Sequence, residues 1–373
     1  MSLKEIFCQD KAISILQRAF AAGKSPHAYI FAGPEGVGRF KTASEWAKML
    51  LCKNPVTENG FTDSCGSCES CRVFEADSHA DFHTVYKELR EFTTDGKGKP
   101  PPVDLPKDVI REFLIDKVSA RPTLSKRKVF VVSEAERLNN HSQNCLLKVL
   151  EEPPDYCTII LLCTRLEKLL PTIKSRCQII RFGPIAEERI IEGLKEIGIN
   201  QKQAQYWARL AQGSLGQALR WARLELADAN LYETKKELIG SLSSYRYAES
   251  QELSVWLLSE SKRIAAAWFD LDKTTSKTDI NRRAQKTLVQ IVISALHDAM
   301  ILNIAGTEGI VNSDQAEQIR TLRQRFDPER SAEKIADCYK SLRWIESNVN
   351  ERLIFEQLLL NLADSDKIKL WQQ

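Results

Sequence analysis

The chain has 373 residues, too many for one typical compact domain, so two or three domains with separate cores are expected. Hydrophobic residues at 43% and charged residues at 28% exclude a disordered or fibrous chain, and a formal net charge of +3 makes no field that argues for nucleic acid or a membrane surface. No apolar run approaches the roughly 18 residues that cross a bilayer, and the N-terminal MSLKEIFCQD lacks the apolar core of a secretion signal. A cytoplasmic protein without membrane contact is therefore expected, and in that reducing compartment the ten cysteines point away from disulfides.

The first predicted element is the strand HAYIFAG (27–33), which runs into GPEGVGRFKTASEWAKMLL, a glycine-rich turn followed by an amphipathic helix. This is the context of a phosphate-binding loop. Gly33, Gly36 and Gly38 would let backbone N–H groups approach an anion at the helix N-terminus, where the dipole also favours negative charge. A working loop then needs Lys followed by Ser or Thr, to reach the outer phosphates and to hold Mg²⁺. Arg39 and Phe40 stand there instead, and a phenyl ring offers a metal nothing. Lys41 and Thr42 resemble a displaced copy, but a shift of two residues turns a helical side chain by about 200°, away from the site.

Cys52, Cys65, Cys68 and Cys71 follow, with twelve residues in the first gap and two in each of the others. Four thiolates at such spacing can close a tetrahedral structural zinc site that ties an excursion (52–71) onto the domain. Redox cysteines, or zinc with His79 or His83 in place of one sulfur, remain alternatives. His79, Asp81 and His83 otherwise read as a loop before a strand, and EFTTDGKGKPPPVDLP (91–106) as an exposed loop.

The strand KVFVVS (128–133) should end on an Asp that holds magnesium and a Glu that positions water; here Ser133 takes the first place and Glu134 keeps the second. The preceding Lys126-Arg127-Lys128 is the best support for a nucleic-acid-binding reading, although so short a run is usually a solvated strand entry. SQNCLLKVLEEPP (142–154) predicts a helix ended by Pro153-Pro154, with Leu146, Leu147 and Leu150 buried and Lys148, Glu151 and Glu152 on a solvated face. CTIILLCT (157–164) is another apolar strand, and these strands suit a mainly parallel sheet covered by helices on both faces. Ser175-Arg176-Cys177 lies before one more apolar run. From Pro184 onward helical periodicity dominates, giving an α/β domain over 1–183, a small helical unit over 184–223 and a helical region over 224–373. The stretches 252–269 and 352–371 carry bundle-type apolar faces.

Taken in order, HAYIFAGPEGVGR, the four cysteines, VFVVSEAERLNNHSQNCLLKVLEEPP and TIKSRCQIIRF resemble the bacterial DNA polymerase III clamp-loader subunits of the AAA+ class. The likeness is dense in motifs over 1–223 and architectural beyond. It implies an AAA+ domain with a zinc module, a helical lid and an all-α collar that joins five subunits. It implies gamma or tau ATPase subunits and delta as partners, with the sliding clamp and primer-template DNA reached through the complex. Ser175, Arg176 and Cys177 match the family's Ser-Arg-Cys motif, so Arg176 would be an arginine finger offered to a neighbour's ATP. Thr164 falls where relatives place a γ-phosphate sensor, a role a strand-terminal threonine seldom has. Gln217, in Gly213-Ser214-Leu215-Gly216-Gln217, replaces a second sensing arginine. The altered loop implies a member without hydrolysis or productive Mg-ATP binding; an active gamma- or tau-like ATPase and a zinc-stabilised nucleic-acid binder are the alternatives.

Overall fold

A computed structural model describes residues 2–97, 102–273, 275–347 and 349–363. Nearly continuous apolar runs become the central strands β1 (Ala28–Ala32), β5 (Lys128–Val132) and β6 (Cys157–Cys163), the half-polar β4 (Phe82–Val85) and β7 (Gln178–Arg181) flank them, and β2 (Val56–Glu58) and β3 (Phe61–Asp63) form a separate hairpin. The large sheet is parallel throughout, in the order β4-β5-β6-β1-β7. Its register places Ala28 opposite Ile159, Tyr29 opposite Gln178 and Lys128 opposite Cys157. Alternate side chains feed two apolar layers. Ile30, Phe130 and Leu161 pack on one face with Leu146, and Tyr29, Phe31 and Val131 pack on the other with Trp46. The α/β class expected from the apolar runs is present.

Around this sheet lie α1 (Asp10–Ala21), α2 (Arg39–Leu51), α3 (Glu69–Glu75), α4 (Lys107–Ile110), α5 (Asp116–Val118), α6 (Asn140–Glu151) and α7 (Pro171–Lys174). A π turn over Arg111–Ile115 joins α4 to α5. The 91–106 segment is less exposed than its composition suggests. Leu105 is buried and bridges Leu138, because its N–H donates to the Arg137 carbonyl at 2.8 Å. Its residues 98–101, like residues 364–371 of the last apolar stretch, lie outside the described residues.

The remaining helices are α8 (Glu187–Glu196), α9 (Gln201–Leu210), α10 (Leu215–Leu226), α11 (Leu231–Ser244), α12 (Ser250–Leu271), α13 (Lys277–Ala305), α14 (Ala316–Arg325), α15 (Pro328–Glu346) and α16 (Glu351–Leu362), and no strand follows β7 among the described residues. The chain divides into two compact units, Met1–Arg189 with Gly213–Gly216 and Ile190–Gln212 with Gln217–Gln373. Within the second, α13 packs against α12, α14 and α15. An 18-residue window of α13 averages a hydropathy of 1.7, so one helix reaches membrane-spanning length and composition although it holds no unbroken apolar run of that length. Interspersed Gln, Ser, His and Asp hide it from a search for such runs, and its buried Leu288, Ile291, Val292 and Leu296 make it the core helix of this unit.

Candidate functional site

The glycine-rich loop after β1 is built by backbone geometry. Gly36 and Gly38 have φ of +76° and +96°, in the left-handed region that glycine enters without strain, and α2 starts directly after Gly38. A Cβ on Gly33 would lie 2.6 Å from the Phe182 carbonyl oxygen, so only glycine lets β1 and β7 come together there. Gly216 N–H donates to the Gly36 carbonyl at 2.9 Å, and a Cβ on Gly216 would meet the Gly36 Cα at 2.9 Å. The buried side chain of Gln9 donates to the Val37 and Gly183 carbonyls at 3.1 and 2.9 Å and accepts from Gly183 N–H at 3.2 Å, clamping the loop to the end of β7. Nothing in the local sequence around Gln9 announced this, because its partner is 174 residues away.

The side chains on this frame are turned to other tasks. Arg39 Nε donates to the Pro34 carbonyl at 3.2 Å, and burial lowers its pKa against the pull of Glu136 and Glu35. Phe40 is half exposed. The Thr42 hydroxyl donates back to Gly38 O at 2.9 Å. Glu134 sits in the left-handed region at φ +50° and pairs with Arg137 at 2.9 Å and Lys87 at 3.6 Å. Thr164 donates to Glu136 through both its hydroxyl and its N–H. In the second unit, Gln217 Nε2 donates to Gln290 Oε1 at 3.0 Å.

Ser175, Arg176 and Cys177 link α7 to β7 at the edge of the sheet. Arg176 Nη2 lies 2.7 Å from Glu151 Oε1, and Nη1 donates to the Thr172 carbonyl at 2.9 Å. The Ser175 hydroxyl donates to the same carbonyl at 3.0 Å. Cys177 is buried, which pushes its thiol up to about 12 and leaves it inert. Glu151 lies on the solvated face expected of it and also carries this ion pair.

The four cysteines converge. Their sulfurs all lie within 4.8 Å of one another, with Cys52–Cys65, Cys52–Cys68 and Cys65–Cys71 separations of 3.6, 3.9 and 4.0 Å. A Zn–S bond of about 2.3 Å in a tetrahedron requires sulfurs about 3.8 Å apart, so the donor set fits a metal ion of that size. Backbone N–H groups of Cys65, Cys68 and Cys71 point at the sulfurs of Cys52, Cys65 and Cys68 at 3.3, 3.3 and 3.5 Å. Hydrogen bonding from the Ser67 backbone leads the causes that lower Cys65 to about 6, whereas burial raises Cys52 and Cys71. The residues between Cys52 and Cys65 form the β2–β3 hairpin, whose Asn59-Gly60 turn has φ of +51° and +77°, as a tight twisted hairpin requires.

His79 and His83 stay out of this cluster. His79 Nε2 meets Ser70 Oγ at 2.9 Å and Ser125 Oγ at 3.3 Å, and both hydroxyls donate to the Leu51 carbonyl at 2.7 Å. Asp81, fully buried, accepts from the N–H groups of Thr123, Leu124 and Ser125 at 2.7, 2.8 and 2.8 Å. These contacts, invisible in the cysteine spacing, dock the residues beside Cys52 and Cys71 onto the sheet. His83 lies in β4 and stacks on Phe130 at 4.9 Å. Lys128 is no solvated charge: it is buried, and its Nζ donates to the Lys117 and Ala120 carbonyls at 3.1 and 2.8 Å.

A parallel sheet whose first strand feeds a glycine loop and helix, with Ser175-Arg176-Cys177 leading into its edge strand, has the α/β arrangement of the AAA+ class. Two family models match the sequence, "DNA polymerase III, delta subunit" over residues 8–186 and "DNA polymerase III, delta subunit, C terminal" over residues 274–364. The chain belongs to the DNA polymerase III clamp-loader family. The delta' subunit of Bacillus subtilis is 23% identical across 95% of this chain and 96% of its own length. The delta' subunit of Pseudomonas aeruginosa is 36% identical across 40% of this chain, and the tau/gamma subunit of Haemophilus influenzae 29% identical across 72%. The chain spans only 41% and 38% of the length of these last two relatives. A solved gamma subunit-related protein of Thermotoga maritima is 18% identical, with a TM-score of 0.45 over 94% of this chain and 98% of its own.

Proposed function

We propose that this chain is a delta'-type clamp-loader subunit that does not hydrolyse ATP itself and supplies Arg176 to ATP held by a neighbouring ATPase subunit. The observation that carries this reading is the phenyl ring of Phe40, half exposed at the place where a loop must hold magnesium with a hydroxyl. Ser133 removes the second metal ligand, and the carboxylates nearby, Glu134 and Glu136, are held in internal pairs. Gly33, Gly36, Gly38 and Arg39 thus keep the shape of a phosphate loop without productive Mg-ATP binding. Arg176 remains 34% exposed at the sheet edge, and a guanidinium beside a neighbour's γ-phosphate would offset the charge that builds up during transfer.

The same reading includes a structural zinc ion on Cys52, Cys65, Cys68 and Cys71, and an AAA+ domain over 1–183, a lid over 184–223 and a collar over 224–373. Its partners would be gamma- or tau-type ATPase subunits and delta in a hetero-pentamer of the cytoplasm, acting on the sliding clamp and primed DNA. Similarity to tau and gamma relatives favours an active ATPase as the second reading.

Two measurements separate them. The purified chain with Mg-ATP should show no turnover, and steady hydrolysis abolished by an Arg39 substitution would overturn the proposal. In the complex assembled with its ATPase partners, Arg176→Ala should lower DNA-dependent turnover at the one site served by about 10³-fold or more while assembly survives. Unchanged turnover would remove the finger.

A further inference from the structure

The ion pair between Glu151 and Arg176 rests on the reading above and extends it. Glu151 is the last residue of α6; it meets Nη2 at 2.7 Å, while the Thr172 carbonyl of α7 accepts from Nη1 at 2.9 Å. A guanidinium carries its N–H donors in one rigid plane, so two anchors on different helices fix the direction of the whole fork. Nε has no partner among the described residues, and the side chain is one-third exposed. An ion pair this exposed adds little to stability, so geometry is the better account of it.

Both anchoring helices are themselves tied down. The buried Gln143 side chain of α6 donates to the Leu138 and Lys168 carbonyls at 2.9 and 3.1 Å and accepts from the N–H of Leu170, the N-cap of α7, at 2.8 Å. At the far end of α6, His27 Nε2 donates to the Leu150 carbonyl at 3.1 Å, one residue before Glu151. The platform under the guanidinium is therefore fixed to the strand that leads into the phosphate loop and to the turn that carries Arg176.

We propose that Glu151 is a positioning residue: it aims the Arg176 guanidinium outward so that its remaining N–H donors meet the γ-phosphate of a nucleotide bound by the neighbouring subunit. Glu151 does not touch that phosphate. Aiming the fork beforehand removes the search over arginine rotamers from the reaction, and a misplacement of about 1 Å costs up to roughly 10²-fold in rate. Because the anchor is a hydrogen-bond acceptor, a neutral amide can replace it and a methyl group cannot.

The test uses the complete clamp-loader complex with its ATPase partners and DNA. Glu151→Ala should lower kcat at the site served by about 10-fold with little change in the KM for ATP, and Glu151→Gln should keep most of the parent rate. Added to Arg176→Ala, Glu151→Ala should have no further effect, a coupling that general loss of structure would not produce. Unfolding curves of the single variants should overlay that of the parent. Unchanged or faster turnover in Glu151→Ala, or a further loss in the double variant, would overturn the assignment while leaving the finger intact. Full turnover in Arg176→Ala would remove both.

Discussion

The glycine-rich loop after β1 and the cysteine cluster are two turns of one domain, and they differ in how shape and chemistry are divided among their residues. In the cluster the shape and the donors are the same residues: Cys52, Cys65, Cys68 and Cys71 bring their sulfurs within 4.8 Å of one another. In the loop they are different residues. Gly33 and Gly216 make the shape by close backbone approach and Gly36 and Gly38 by left-handed φ, whereas the chemistry would come from the side chains that follow, here Arg39 and Phe40. A turn whose frame and chemistry are separate can lose the second and keep the first.

The largest expected effect follows from the cluster. Cys68→Ala removes one of four sulfur donors and an N–H acceptor for Cys71, and structural zinc contributes on the order of 10 kcal/mol in small metal-folded domains. The parent should carry about one zinc per chain by metal analysis, and the variant far less, with faster hydrogen exchange across the β2–β3 hairpin and α3. A variant that keeps its zinc would show that the sulfurs do not act as a set.

Gly33→Ala tests the frame of the loop. The added Cβ would lie 2.6 Å from the Phe182 oxygen and 2.9 Å from the Phe182 Cβ, so β1 and β7 must part or the chain must strain. Overpacking of this kind costs about 1–3 kcal/mol, read as a lower denaturant midpoint. Loss of stability would mean that Gly33 is needed for packing, whatever the loop binds. An unchanged midpoint would mean that the frame is soft.

Much of this contrast was legible in the sequence. Continuous apolar runs marked β1, β5 and β6, and cysteine spacing marked the cluster. What escaped were side chains whose partners are far along the chain. Gln9 bonds to Gly183, Asp81 to the 123–125 backbone and Lys128 to the carbonyls of Lys117 and Ala120. Glu151 read as a solvated carboxylate because helical periodicity assigns a face but not a neighbour, and its neighbour, Arg176, arrives after a whole strand and another helix. Buried polar groups must find partners, so such residues can be suspected of pairing, but only the fold names the partner.

Phe40→Ser is the smallest effect and the sharpest separation of frame from chemistry. The ring is 50% exposed, so its removal should change stability by no more than about 0.5 kcal/mol, and serine is well tolerated in the first turn of α2. The chain alone should still not turn over Mg-ATP, because Ser133 leaves the other magnesium position without a carboxylate and Arg39 remains folded onto the Pro34 carbonyl. Turnover restored by this one hydroxyl would show that the loop had lost a single donor rather than its machinery, and the division between a preserved frame and an abandoned chemistry would collapse into one substitution.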